Sequence, residues 1–175
     1  MKAKLLSSRP RHSNPLFSVR EERAVEPGGM KILRYIVHHG GSAVILPLDS
    51  RGRILLVRQY RLAVRRPLWE LPAGRIDPGE TPLQAARREL AEETSLRARR
   101  WKKLTEFYPS PGFLTEKMTI YLAAGVRMGE ACPMEDERIE CHWFTAAELD
   151  KLIAAGKIQD GKTLIGYAVW RYWRR

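Results

Sequence analysis

Glu89, Glu92 and Glu93 fall within five positions of one another in the run GRIDPGETPLQAARRELAEETSL, residues 74–96. On a helical period, positions three and four apart are neighbours, so the carboxylates share one side. Set side by side they repel one another, which stabilises nothing by itself. A divalent cation among them reverses the sign. Ligands that are all oxygen select hard ions such as Mg²⁺ or Mn²⁺, and ions held this way commonly also hold a phosphate. A solvated acidic face is the commoner reason for such a run, and the three acids alone do not separate the two readings.

The rest of the chain favours an anionic partner. Lys and Arg number 31 against 20 acids, a formal net charge of +11 with a pI near 10.0. Such a balance suits nucleic acid, phosphorylated metabolites or an acidic membrane surface. A length of 175 residues with 44% hydrophobic content supports one domain with a small appendage and a real core. Cys132 and Cys141 are the only cysteines, and their spacing predicts no bridge. No apolar run in MKAKLLSSRPRHSNP is long enough for a signal peptide or a span, so a cytoplasmic protein without membrane attachment is expected.

Elements that could position the acids are legible from turn and cap chemistry. The first fifteen residues, basic and interrupted by Pro10 and Pro15, read as loosely held. Short extended runs at 17–24 and 30–38 flank EPGG, a hairpin signal, and runs at 42–48 and 53–60 flank DSRG, another. Thr81 as N-cap, Pro82 at the first helical position and Gln84 three residues after the cap start a helix. Leu83, Ala86 and Leu90 would form its core face. Further strands are expected near 102–108, 117–124 and 140–144. Thr145 and Glu148 open a second capped helix that Gly156 stops, and a last helix begins near Lys162. Strands and hairpins dominate, so the class is α+β with helices packed on a mixed sheet.

The flanks decide between the two readings of the acids. Gly74, Glu80, Arg88, Glu89, Glu92 and Glu93 stand at the fixed positions of the Nudix box. At average composition such a coincidence arises in about one chain in 10⁵. The sequence therefore resembles the Nudix hydrolases over roughly residues 17–172, and more narrowly the ADP-ribose hydrolases among them. The narrower resemblance rests on WELPAGRIDPGE, on FYPSPGF with Pro111 fifteen residues beyond Leu96, and on EDERIE at 135–140. One position departs: Ser95 stands where the family has the glycine that ends the helix in a left-handed conformation. A serine there costs about 1 kcal/mol and bears on the helix end, not on the ligands.

The resemblance implies a Nudix fold: a mixed β-sheet packed between helices as an α/β/α sandwich, with an N-terminal antiparallel β arm. It places the arm at residues 1–40 and the hydrolase domain at 41–175. Metal, Mg²⁺ or Mn²⁺, falls to Glu89, Glu93 and the Ala73 carbonyl, with Glu92 reaching it through water. Arg88 orients its glutamate neighbours, and Gly74 lets the backbone turn tightly. The general base lies in EDERIE, where Glu137 is preferred and Glu135 and Glu140 are rivals. Arg61 and Glu116 are implied as substrate contacts. Phe17, Tyr60 and Trp69 are candidates to flank the base, each equally at home in the core.

The implied activity is Mg²⁺-dependent hydrolysis of the diphosphate of ADP-ribose to AMP and ribose 5-phosphate. The partner is then a small nucleoside-diphosphate sugar, and a homodimer forms through the N-terminal β arm. Two alternatives stay open: another nucleoside-diphosphate sugar of the GDP-mannose type, or a non-catalytic Nudix module that binds nucleotide or RNA. The complete acid set argues against the second. The basic run RARRWKK (97–103) reads as a solvated face, and nucleic acid is not expected as a partner.

Overall fold

The computed structural model describes residues 2–129 and 139–172. The chain divides into two units, one of residues Met1–Gly41 with Tyr108–Lys117, the other of Ser42–Phe107 with Met118–Arg175.

The first unit is an antiparallel sheet of β1 (Lys4–Ser13), β2 (Ser18–Val25) and β3 (Lys31–His38), in that order. Asn14 builds the β1–β2 turn by accepting the Leu16 and Phe17 N–H groups at 2.8 and 2.9 Å, and Gly29 takes the left-handed position of the EPGG turn at φ 86°. The segment read as loosely held is thus a paired strand. Pro10 is accommodated because the β1–β2 register shifts between Pro10 and His12, an edge-strand irregularity where no ladder N–H is needed. Residues 108–117 add to β3 through a parallel bridge between Val37 and Leu114, with Val37 N–H on the Phe113 carbonyl at 2.7 Å.

In the second unit β4 (Ser42–Leu48), β5 (Ile54–Arg61), β8 (Leu96–Phe107), β9 (Met118–Met128) and β10 (Glu140–Phe144) run in the order β10-β5-β4-β9-β8. Two short strands unanticipated by the sequence, β6 (Arg66–Glu70) and β7 (Ala73–Arg75), pair with β5 and β4. The β4–β9 pair is parallel and the others antiparallel, so the sheet is mixed.

Alternate side chains of β4 face opposite cores. Ala43 and Ile45 pack with Ala85, Ala86 and Leu90 of α1 (Pro82–Thr94). Val44 and Leu46 pack with Leu149 of α2 (Ala146–Ala154) and Tyr167 and Trp170 of α3 (Gly161–Tyr172). That is the expected sheet between helical layers. Both capping boxes form, Thr81 with Gln84 and Thr145 with Glu148. Ala85 takes the buried place expected for Leu83, which is half-buried. Among the described residues no helix is long and apolar enough to cross a membrane.

Candidate active site

The strand β7 and the helix α1 bring the acids to a backbone turn. A Cβ on Gly74 would stand 1.9 Å from the Glu89 carboxyl carbon, so the carboxylate lies directly on the peptide and only glycine leaves room. One turn on, Glu93 accepts the Ala73 N–H at 3.1 Å. The loop before β7 is tied from the other side. Thr163 Oγ1 accepts the Leu71 N–H at 2.7 Å, and Pro72 offers its carbonyl to Ile45 N–H at 2.8 Å.

Arg88 sits among the acids as a hub. Its guanidinium donates to both oxygens of Glu80 at 3.0 and 2.9 Å, to Glu89 at 2.6 Å and to Glu92 at 3.0 Å. It also holds the Arg75 carbonyl at 2.9 Å. The orienting role expected for Arg88 therefore has a geometry. Hydrogen bonds from Arg88 and from the Asp77 N–H bring the Glu80 carboxyl down to about 2, and the bonds to Glu80, Glu89 and Glu92 raise Arg88 above its ordinary value. Glu89 shifts the other way: burial pushes its carboxyl up, and Arg88 offsets this only in part. A partly desolvated carboxylate beside other acids is stabilised by added positive charge.

As the side chains stand, no three His, Cys, Asp or Glu residues among those described are gathered tightly enough to enclose an ion. Glu89 and Glu92 turn to Arg88, and Glu93 turns to the Ala73 amide. The donors within reach are oxygen throughout, carboxylates and peptide carbonyls, and that set fits a hard divalent cation. The cradle of Gly74 under Glu89 is the structural feature most specific to it.

Ser95 ends α1 in the left-handed conformation at φ 55°, ψ 20°, its N–H on the Ala91 carbonyl at 2.9 Å. The serine thus adopts the geometry expected of the family's glycine, and the helix stops where it should.

Among the remaining candidates, Arg61 donates twice to the buried Glu70, at 2.8 and 2.7 Å. Lys162 reaches the same carboxylate, and Asp160 at 3.0 Å. Burial pushes Glu70 up, yet these cations more than offset it and its pKa falls below the ordinary value. Sequence reasoning passed over Glu70, Asp160 and Lys162. The available signal was an acid enclosed between Trp69 and Leu71, a place where a carboxylate needs partners. Trp69 packs edge-on to Phe144 at 5.2 Å, with Arg58 over its ring at 5.9 Å.

Ala73, Arg88, Glu89, Glu92 and Glu93 are brought together in the second unit, which also holds Arg61, Trp69 and the exposed Tyr60. Phe17 and Glu116 belong to the first unit. There Phe17 lies 5.9 Å from the His12 ring and Glu116 is 3.6 Å from His39. Glu140 pairs with Arg58 at 3.3 Å. Glu135, Glu137 and Cys132 lie outside the described residues.

Comparison with known proteins identifies the family. Residues 38–165 match the NUDIX domain. The chain is 36% identical over 164 residues to an ADP-ribose pyrophosphatase of Mycobacterium tuberculosis, covering 92% of this chain and 79% of that one. It is 37% identical over 145 residues to an ADP-ribose pyrophosphatase of Bacillus subtilis, covering 82% and 77%. A crystal structure of an ADP compounds hydrolase superposes with a TM-score of 0.85 at 21% identity, over 99% of this chain and 94% of the other, a likeness of fold.

Proposed function

This chain belongs to the Nudix family, and from that premise we propose that it hydrolyses the diphosphate of ADP-ribose to AMP and ribose 5-phosphate. The observation that carries the reading is the Glu89 carboxylate seated on Gly74, with Glu93 on the neighbouring Ala73 amide.

Glu89, Glu93 and the Ala73 carbonyl would hold the divalent cation, Mg²⁺ or Mn²⁺. Bound there, such an ion neutralises the diphosphate oxygens and makes water more acidic. Arg88 keeps Glu89 and Glu92 in place and ties them to the Arg75 carbonyl, which links helix and turn. Glu137 takes the proton as water oxygen bonds to phosphorus and the bridging P–O bond breaks towards the departing phosphate. Arg61 acts on substrate only through Glu70 or after exchanging that partner. Glu116, Phe17 and Trp69 are proposed for the riboses and the base.

A homodimer through the first unit completes the reading. Its sheet exposes Leu5, Leu6 and Leu33, and among the described residues β1 is its outer strand. A cytoplasmic location fits a nucleotide-sugar substrate.

The direct test incubates the protein with a panel of nucleoside-diphosphate sugars and measures released mononucleotide with Mg²⁺ or Mn²⁺. AMP from ADP-ribose at the highest kcat/KM is the expected result. Preference for GDP-mannose, or no turnover with any member, would overturn the assignment.

A further inference from the structure

Six exposed cations cluster in the second unit with no acidic partner among the described residues. They are Arg87 on α1, Arg97, Arg99, Arg100 and Lys102 on β8, and Arg127 on β9. Lys103 differs, since Glu106 pairs with it at 2.5 Å. Arg97 stands directly opposite Arg127 in the β8–β9 register. Like charges facing each other weaken a sheet, so this pair costs stability unless an anion lies over it. The Arg97 stem is laid against Gly129, where an added Cβ would meet its Cγ and Nε at 3.1 Å.

The cations flank an aromatic side chain with space on two sides. A cavity of about 350 Å³ between α1 and β8 is lined by Arg87, Arg97, Arg99 and Trp101, and another of about 460 Å³ by Arg100, Lys102 and Trp101. Trp101 donates its indole N–H to the Ala98 carbonyl at 3.3 Å and meets Tyr121 edge-on, so its polar atom is satisfied. What it offers a ligand is ring surface. Among the described residues β8 is the edge strand of its sheet.

Lys102 stands opposite Leu122, which packs on the core away from α1, whereas Trp101 packs on the α1 side, so the cations line both sides of the β8 edge. We propose that this edge binds single-stranded nucleic acid, with cations on successive phosphates and Trp101 against a base. Residues two apart on a strand are about 6.7 Å apart, comparable to the step between phosphates of an extended single strand. Guanidinium forks suit phosphate oxygens, and a ring beside a basic track accepts any base. A single nucleotide fits less well, because the cations run along β8 past Trp101 from one cavity to the next. The run read from sequence as a solvated face is thus ordered around that ring.

The test is fluorescence anisotropy of a labelled single strand of about 12 nucleotides, titrated between about 50 and 200 mM salt. Four phosphate contacts give a log–log salt slope of about −2.8. Arg97→Ala/Arg99→Ala should bind at least about tenfold more weakly with a slope shallower by about 1.4, while ADP-ribose hydrolysis is unchanged. Arg51→Ala/Lys157→Ala removes equal charge from the β4–β5 turn and the segment after α2, and should bind like wild type. No binding at the low-salt end overturns the proposal. So does equal weakening in both double variants, which would mean attraction by net charge alone. Displacement of the strand by an equal concentration of AMP would also overturn it, since the edge would then be a mononucleotide site.

Discussion

Gly74 and Glu89 compete for one volume: the Glu89 carboxyl occupies the place of a Cβ at position 74. Gly74→Ala therefore displaces a carboxylate and leaves the β4–β7 pairing intact. The expected outcome is a fall in kcat/KM of roughly 10²-fold, the scale set by misplacing a catalytic group by about an ångström, with an unchanged circular dichroism spectrum. Activity within a few-fold of wild type would show that Glu89 need not sit on this turn.

Glu89→Gln should separate stability from activity. Burial raises the Glu89 pKa, so the folded state favours its protonated form. For an acid whose folded pKa lies above its unfolded value, stability is greatest below the unfolded pKa, falls as pH rises from there through the folded pKa, and stays at the lower level above it. At neutral pH the ionised carboxylate is then a net burden, which the amide lacks. The metal-free variant should melt higher than wild type, gain less from added Mg²⁺ and lose turnover. A lower melting temperature without metal would contradict this.

Glu70→Gln should act mainly on stability. Its removal takes from Arg61 and the largely buried Lys162 the carboxylate they share, leaving Lys162 with Asp160, a change of up to about 3 kcal/mol for breaking a buried pair. Because the Glu70 pKa is lowered, its contribution is present above the ordinary carboxylate value of about 4.3 and fades as pH falls below that. Thermal melts should therefore show a large gap between wild type and variant at neutral pH that narrows in acid. A constant gap would point to packing instead of charge.

Glu137→Gln should lower kcat by roughly 10² to 10⁴, the range for loss of a general base, with little change in KM. The box acids turn to cations and amides, which leaves them poorly placed to accept the proton. If Glu135→Gln or Glu140→Gln causes the large drop while Glu137→Gln is neutral, the base belongs to that neighbour.

Leu6→Glu combined with Leu33→Glu should leave a monomer in light scattering if the first unit forms the dimer contact, since both leucines are exposed on its sheet. A dimer that survives both charges would place the contact elsewhere.

Local chemistry was the legible part of this chain. Thr81 with Gln84 and Thr145 with Glu148 cap their helices as the sequence indicates, because each box closes within four residues. The acids of α1 were legible for the same reason. Contacts that join distant positions were not. Glu70 meets Lys162 across 92 positions, and no local pattern records that pairing. β1 hid behind two prolines and a polar surface, since a strand with little buried area shows no hydrophobic alternation. β7 is too brief for a period to emerge, and β6 carries Pro67 and buries fully only a charged side chain, Glu70, so no apolar alternation marks it.

The addition of residues 108–117 to β3 has a consequence for synthesis. Thr115 Oγ1 accepts the His39 N–H across 76 positions. At ribosomal rates of about 5–20 residues per second, that interval is roughly 4–15 s. During it the outer edge of β3 has emerged while the segment that bonds Val37 has not yet been made. The nascent chain thus carries an open strand edge for seconds, and a chaperone or a neighbouring nascent chain on the same message has that long to find it.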